Sequence, residues 1–137
     1  MQARKGTLIR FLVSHFPEWV RVPHALAFLS LLLRVRDTGM MPDDRHRLML
    51  WRAAQLPFGE GHIVEIGSYK GGSSVYLAKP MCLNHDPHML YCVDTFRGYG
   101  GYEDTLPEFH RNLVRAGVTA KVVPIQKTSE LAGKSWA

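Results

Sequence analysis

The sequence predicts an α/β fold in which an N-terminal helical segment precedes a parallel β-sheet covered by helices. Apolar residues recur at helical spacing in the first part of the chain, whereas short β-type runs alternate with helical patterns from His62 onward. This alternation is typical of right-handed crossovers, which make neighbouring strands parallel. We therefore divide the 137-residue chain into a helical segment, residues 1–60, and a sheet domain, residues 61–137.

Three helices are predicted in the helical segment. The first is indicated by apolar residues at helical spacing in residues 8–16. The second is the apolar run HALAFLSLLLRVR, residues 24–36, whose uncharged core is shorter than the roughly 20 residues that cross a bilayer. We interpret it as a buried helix or as one that covers a partner, since a helix lying on a membrane surface would need a broader polar face. The third, in residues 41–57, has Asp43 or the next aspartate to cap its start and Pro57 to end it.

Three strands and two helices are predicted in the sheet domain. The strands are the apolar, β-branched runs HIVEI, MLYCVDTF and KVVPIQ, residues 62–66, 89–96 and 121–126. The first helix, SSVYLAK, follows a glycine-rich stretch and is predicted to end at Pro80. The helix TLPEFHRNLVRAG lies between the second and third strands.

This last helix has clear sequence signals at both ends. Thr105 and Glu108 stand at capping-box spacing, and Gly117 stands at the C-terminal end. Apolar residues at helical spacing predict a buried stripe; they are Leu106, Phe109, Leu113 and Ala116.

Charge and cysteine content restrict the class of protein. The net charge is +5, and most of the excess lies in the first 60 residues, with nine Lys/Arg against five Asp/Glu. This suits an acidic partner or an anionic membrane surface, but we interpret it as a solvated helical face. There is no basic stripe with interleaved aromatics, so we expect no nucleic-acid binding. Two irregularly spaced cysteines and no secretory pattern predict a cytoplasmic protein without disulfides or a zinc site.

The stretch VEIGSYKGGSS, residues 64–74, runs from the first strand directly into glycines and small hydroxyl residues. Gly67 and Gly71 can adopt positive φ and let a ligand approach the main chain. The backbone N–H groups of Gly72, Ser73 and Ser74 would open the next helix, where an anion is favoured. In an open α/β sheet this loop lies at the carboxyl ends of the strands, where ligands bind.

The spacing of the glycines argues against a dinucleotide or a phosphate loop. They read G-x-x-x-G-G rather than G-x-G-x-x-G, and Glu65 would repel a pyrophosphate while accepting hydrogen bonds from an ammonium group. Asp94, at the end of the second strand, is well placed to accept two hydrogen bonds from a ribose diol. The predicted ligand is an amino acid joined to a nucleoside.

These motifs resemble the class I S-adenosylmethionine-dependent methyltransferases. Within them the chain is most similar to the macrocin O-methyltransferase-like group, through IVEIGSYKGGSSVYLA, YCVDTF and VVPIQKTSEL. The resemblance implies half of a Rossmann-like doubly wound sheet with strand order 3-2-1. It also implies S-adenosylmethionine as cofactor and methyl transfer to oxygen of a small molecule or sugar.

The resemblance assigns cofactor roles residue by residue. The methionine part would lie among residues of the glycine loop, which are Glu65, Gly67, Ser68, Tyr69, Gly71, Gly72 and Ser73. Asp94 would bind the ribose and Phe96 would flank the base, while Thr128 and Ser129 would lie near the adenine. Each has a structural alternative: the glycines can simply shape a turn, Asp94 can cap its loop, and Ser129 can cap a helix.

The resemblance covers residues 45–136 and stops at the third strand, whereas family members continue into further strands with an acidic motif. We therefore expect a fragment, a truncated product, or a chain that self-associates through the open edge of its sheet. The catalytic residues are unknown and no metal site is predicted. His85 and His88 are expected in a solvated loop. Tyr69, Tyr99 and Tyr102 are interpreted as ordinary loop residues, with contact to substrate in a mobile lid as the alternative. The alternative functions are a non-catalytic binding or self-association module and, disfavoured by Glu65, a nicotinamide-dependent oxidoreductase.

Overall fold

The computed structural model describes residues 24–35, 43–57 and 59–136. The predicted first helix, residues 8–16, lies outside the described residues. The remaining elements confirm the α/β class. The helices are α1 (Ala25–Arg34), α2 (Asp44–Ala53), α3 (Ser74–Leu83), α4 (Leu106–Ala116) and α5 (Ser129–Lys134), and the strands are β1 (Ile63–Ile66), β2 (Leu90–Asp94) and β3 (Val122–Gln126).

The three strands form one parallel sheet with β2 in the centre. The order is β1-β2-β3, which is the predicted 3-2-1 arrangement viewed from the other side. Glu65 is in register with Cys92, and Asp94 with Gln126. Because all strands run in one direction, the glycine loop, Asp94 and the residues after β3 meet at the carboxyl edge of the sheet.

One hydrophobic core joins the described N-terminal helices to the sheet. Helices α3 and α4 cover one face of the sheet, and α1 and α2 pack outside them. The Phe28 and Trp51 rings are both fully buried, with centroids 5.2 Å apart at 76°, and Phe28 also meets Tyr76 of α3 at 5.7 Å. The run that we predicted as a buried helix is buried on one side only: Phe28 and Leu31 lie in the core, whereas Leu26 and Leu33 are 81% and 41% exposed. No helix in the described parts of the chain has the length and apolar character to cross a bilayer.

Helix α3 does not end at Pro80, and this prediction was wrong. The helix continues through Pro80 to Leu83, and the Asn84 N–H bonds back to the Pro80 carbonyl at 2.9 Å. Proline removes one helical hydrogen bond, at a typical cost of about 3 kcal/mol. Here the ring is buried and the next residue, Met81, is fully buried in the core. The burial of apolar side chains before and after Pro80 compensates for the missing hydrogen bond, so the helix continues.

The two ends of helix α4 differ from each other in how well the sequence predicted them. Gly117 adopts a left-handed conformation at φ 64° and ends the helix as expected. The capping box does not form: the Thr105 hydroxyl is buried without a partner among the described residues, and Glu108 instead pairs with Arg111 at 2.5 Å. Asp104 takes over part of the cap by accepting from the Leu106 N–H at 3.2 Å.

The predicted stripe of α4 is buried at Phe109, Leu113 and Ala116, while Leu106 is half-buried. At the start of α2, Asp43 accepts a hydrogen bond from the His46 N–H at 3.0 Å, which confirms the cap.

Candidate functional site

The glycine loop, residues 67–73, leaves β1 at the carboxyl edge of the sheet. Gly67 and Gly71 have φ values of 84° and 78°, in the region that other residues rarely occupy. A Cβ atom on Gly67 would meet nothing within 4 Å, whereas one on Gly71 would lie 3.0 Å from Cδ2 of Phe109. Gly67 thus lines open space at the edge of the sheet, and Gly71 lets the loop pack on helix α4.

Asp94 joins the two loops that border this open space. Its Oδ2 accepts from the Tyr69 N–H in the glycine loop, and its Oδ1 accepts from the Phe96 N–H in the next loop, each at 2.7 Å. Both donors have positive φ, 48° for Tyr69 and 55° for Phe96. Such conformations cost non-glycine residues of order 1 kcal/mol or more, so the carboxylate helps to hold both turns in place. Asp94 therefore faces the glycine loop.

Glu65 is held at the end of β1 by hydroxyl and thiol donors. Its Oε1 accepts from the Ser73 hydroxyl and its Oε2 from the Ser74 hydroxyl, while the Cys92 thiol donates to Oε2 at 3.3 Å. These contacts tie the first strand to the N-terminus of helix α3. Glu65 and Asp94 thus place two carboxylates at the ends of adjacent strands, both bonded to the loop that follows β1.

Cys92 is a core residue without nucleophilic character. Burial, reinforced by the neighbouring Glu65 charge, raises the pKa of its thiol to about 12. A thiol with this pKa is protonated at neutral pH, and the thiolate is the reactive form.

Cys92 is expected to resist alkylation in the folded protein, whereas Cys82, which is only half-buried, should react first. Treatment with iodoacetamide at mildly alkaline pH, followed by peptide mass spectrometry, measures both sites. In urea the two should react at similar rates, and Cys82→Ala isolates the Cys92 signal. Equal labelling of the two cysteines without denaturant would contradict the burial of β2.

A second carboxylate, Glu103, bridges two consecutive residues of the glycine loop. Its Oε1 pairs with the Lys70 Nζ at 2.5 Å, and its Oε2 accepts from the Tyr69 hydroxyl at 3.0 Å. The pairing raises the pKa of Lys70 and lowers the pKa of Glu103. The sequence analysis missed this contact because it joins segments more than 30 residues apart; the glycines at 98, 100 and 101 were the only signal of a tight turn there.

The Phe96 ring lies in the core rather than at the open edge of the sheet, which contradicts the expectation that it would flank a nucleoside base. The side chain is fully buried and packs against Phe109, with ring centroids 4.9 Å apart. Its contribution to the site is the backbone N–H that binds Asp94. An aromatic residue directly after a strand-end aspartate can therefore serve the core beneath the site.

The other predicted loop residues differ in accessibility. Ser68 is buried, with a hydroxyl that has no partner among the described residues, while Tyr69, Gly72 and Ser73 are half-buried. Tyr69 also meets the Lys70 ammonium, which lies 4.9 Å from the centre of its ring.

Thr128 and Ser129 follow β3 at the same edge of the sheet, and both are exposed. The Lys127 N–H donates to the Asp94 carbonyl at 3.1 Å, which fixes this turn beside Asp94. The Thr128 hydroxyl accepts from the Leu131 N–H at 3.2 Å, so Thr128 rather than Ser129 caps helix α5.

The remaining candidates lie at the surface or at the opposite edge. Tyr99 and Tyr102 are more than nine-tenths exposed in the segment after Asp94. His88 pairs with Asp86 at 2.6 Å in the loop before β2, at the amino edge of the sheet, and the neighbouring His85 is exposed. The described ranges contain no group of three metal-ligating side chains.

A cavity of about 450 Å³ lies beside α5, away from the glycine loop. It is lined by His62, Tyr91, Ile125, Lys127, Ala132, Ser135 and Trp136.

Comparison with known families gives one finding. A family model described as a methyltransferase domain matches residues 64–137, which is more than half of the chain. The matched range begins within β1 and includes the glycine loop, Asp94 and the turn after β3. A comparison with curated proteins finds no match.

Proposed function

The chain belongs to the methyltransferase-domain family, and from this premise we propose that it binds S-adenosylmethionine at the carboxyl edge of its sheet. We further propose that it serves methyl transfer to an oxygen of a small molecule or sugar. The choice of oxygen depends on the likeness of its motifs to the macrocin O-methyltransferase-like group.

The observation that carries the cofactor proposal is the position of Asp94. Its carboxylate faces the glycine loop and lies across from the open space at Gly67. Each carboxylate oxygen has two lone-pair directions, so Asp94 can accept from a ribose diol while it keeps its bonds to Tyr69 and Phe96. The bonds to Tyr69 and Phe96 also fix the conformation of both loops. The proposed ribose site and the loop geometry therefore depend on the same side chain, Asp94.

The amino-acid end of the cofactor would lie nearer to Glu65. The Ser73 hydroxyl donates to Glu65 and is half-buried, which leaves its oxygen lone pairs available to an ammonium group, whereas Ser74 also donates to Glu65 but is fully buried. The Val75 and Tyr76 N–H groups already donate to the Gly71 and Ser73 carbonyls, so the N–H groups just before them, at positions 72–74, would bind the carboxylate of the same ligand. The ammonium group of the amino-acid tail would thus meet hydrogen-bond acceptors, and its carboxylate would meet backbone N–H donors.

S-adenosylmethionine, when bound, supplies an electrophilic methyl group on a sulfonium. The residues of this chain would orient that group and shield it from water. The Glu103 bridge holds Tyr69 and Lys70 against the segment of residues 97–103, beside the ribose position. Deprotonation of the acceptor is not assigned to any residue.

Asp94→Ala is expected to weaken binding of S-adenosylhomocysteine by about 100-fold or more, because two charge-assisted hydrogen bonds of about 1.5 kcal/mol each are lost. Isothermal titration calorimetry on the full chain measures the effect. The matched control is Asp104→Ala, which removes an exposed carboxylate that only caps α4.

Asp94→Asn separates a ligand role from a folding role, because an amide retains one oxygen acceptor for a backbone N–H but loses the charge. It should fold, as judged by circular dichroism, and bind weakly. The proposal would be contradicted if the wild-type protein does not bind S-adenosylhomocysteine, or if it binds NADH more tightly. Binding without transfer of a labelled methyl group to any tested acceptor would instead indicate a cofactor-binding module.

A further inference from the structure

Residues 97–103, which we call the tyrosine loop, leave the fold after the turn at Asp94 and return to it at nearly the same point. The Glu103 N–H donates to the Arg97 carbonyl at 2.9 Å, which closes the base of the loop. The loop contains glycines with positive φ at positions 98, 100 and 101, and it carries the exposed rings of Tyr99 and Tyr102. A short loop with joined ends and few buried contacts can move as one unit about its base.

The base of this loop directs Glu103 toward the glycine loop. A Cβ atom on Gly98 would lie 2.8 Å from the Cβ of Glu103, so the Glu103 side chain leaves the base over a residue that has to be glycine. Its carboxylate then binds the Lys70 ammonium and the Tyr69 hydroxyl. Within the described ranges, no other side chain of the tyrosine loop makes a hydrogen bond or an ion pair outside the loop. The Glu103 bridge is thus the side-chain link between the two loops.

Tyr69 connects this bridge to Asp94. Its hydroxyl donates to Glu103 and its N–H donates to Asp94, while the residue itself has a positive φ of 48°. A conformation that non-glycine residues avoid persists only where the surrounding contacts hold it. When the Glu103 bridge opens, Tyr69 loses one of these two contacts, and its bond to Asp94 becomes easier to break. The position proposed for the ribose is therefore coupled to the tyrosine loop.

The ion pair in the Glu103 bridge is weak enough to open reversibly. The side chains of Lys70 and Glu103 are 24% and 48% exposed. An ion pair with this exposure favours the paired state by about fivefold or less, and salt screens it further. Every other ion pair between two described residues lies within one helix, its cap or one loop. In the described part of the chain, this pair alone joins two separate segments of the site.

We propose that Glu103 is a positioning residue, which holds the tyrosine loop against the glycine loop while the nucleoside cofactor is bound and so slows its release. The inference rests on the proposed function, because the Glu103 bridge borders the position proposed for the ribose. A ribose on Asp94 would lie between the two loops, so the bridge has to open before the ligand leaves. Because coupling is reciprocal, a bound ligand also favours the closed bridge.

Surface plasmon resonance with the immobilised full chain and S-adenosylhomocysteine tests this role. Glu103→Ala should raise the dissociation rate by about tenfold and change the association rate by less than about twofold, because only the closed state loses contacts. Lys70→Met removes the ion pair but keeps the Tyr69 hydrogen bond, so it should raise the dissociation rate by about threefold. The matched control is Glu60→Ala, which removes an exposed carboxylate in the turn before β1 and should leave both rates unchanged.

The effect of salt distinguishes the Glu103 bridge from a general loss of structure. In the wild-type protein the dissociation rate should rise with the concentration of NaCl, because ions screen the pair between Lys70 and Glu103. In Lys70→Met this dependence should disappear. S-adenosylhomocysteine has no net charge at neutral pH, so screening of the ligand itself contributes little.

Amide hydrogen exchange by NMR tests the bridge without any ligand. The Tyr69 amide should exchange about fivefold faster in Glu103→Ala than in the wild-type protein, whereas the Gly67 amide, which donates to the Val93 carbonyl, should be unchanged. If the wild-type protein binds S-adenosylhomocysteine but Glu103→Ala changes neither dissociation nor Tyr69 exchange, the role of Glu103 is overturned and the proposed function stands. A wild-type protein that does not bind this ligand overturns both.

Discussion

Trp51→Ala is expected to lower the free energy of unfolding by about 3–5 kcal/mol, the usual cost of removing a large aromatic side chain from a core. The indole is fully buried and meets the edge of Phe28, which in turn meets Tyr76. Removal would leave a cavity between the N-terminal helices and helix α3. Because these contacts belong to one core, the loss should lower the stability of the sheet as well.

Urea denaturation followed by circular dichroism measures this loss, and a single transition should shift as a whole. Trp136→Ala is the control, since this indole is 48% exposed and its ring meets Tyr91 with centroids 5.3 Å apart. Its replacement should cost about 1 kcal/mol. Two separate transitions, of which Trp51→Ala affects only one, would show that residues 1–60 and 61–137 unfold independently.

The elements that the sequence predicts well are those with local signals. Strand β1 has β-branched residues between a turn and a glycine, and helix α4 has apolar residues at helical spacing before Gly117. Parallel pairing follows from the crossover rules once the alternation is known, whereas the strand order came from the resemblance to the methyltransferases. The meeting of Glu65, Asp94 and the glycine loop at one edge is a consequence of this topology, so it too could be predicted.

Contacts between distant segments could not be predicted. The position of Phe96 depends on whether its ring finds space in the core, and the space exists because Phe109 lies beneath the glycine loop. Helix α3 continues through Pro80 because burial outweighs a missing hydrogen bond. The Glu103 bridge depends on two loops meeting. In each case tertiary packing overrides a local preference, and one sequence gives no measure of that packing.

The two glycines of the loop serve different purposes, although the sequence presents them alike. Both have positive φ, which strains any other residue by about 1–2 kcal/mol. Only Gly71 is also packed, because a Cβ there would lie 3.0 Å from the Phe109 ring. Phe109 is fully buried and in contact with Phe96, so it has little room to move.

Gly71→Ala is therefore expected to lower the free energy of unfolding by about 2–5 kcal/mol, the sum of backbone strain and overpacking. Gly67→Ala should cost only the strain, about 1–2 kcal/mol. Its methyl group would enter the open space beside Asp94, so the folded variant should lose about tenfold or more in affinity for S-adenosylhomocysteine, the equivalent of about 1.4 kcal/mol.

Urea denaturation and calorimetric titration of both variants separate these effects. Gly133→Ala is the control, since this glycine lies within α5 at an ordinary φ with nothing within 4 Å of its Cβ position. That variant should be neutral or more stable by up to about 1 kcal/mol. Equal losses of stability at positions 67 and 71 would contradict the packing of the loop on Phe109. Unchanged affinity in Gly67→Ala would show that the ligand does not approach the main chain there, because the added methyl group occupies the space that the proposed amino-acid tail requires.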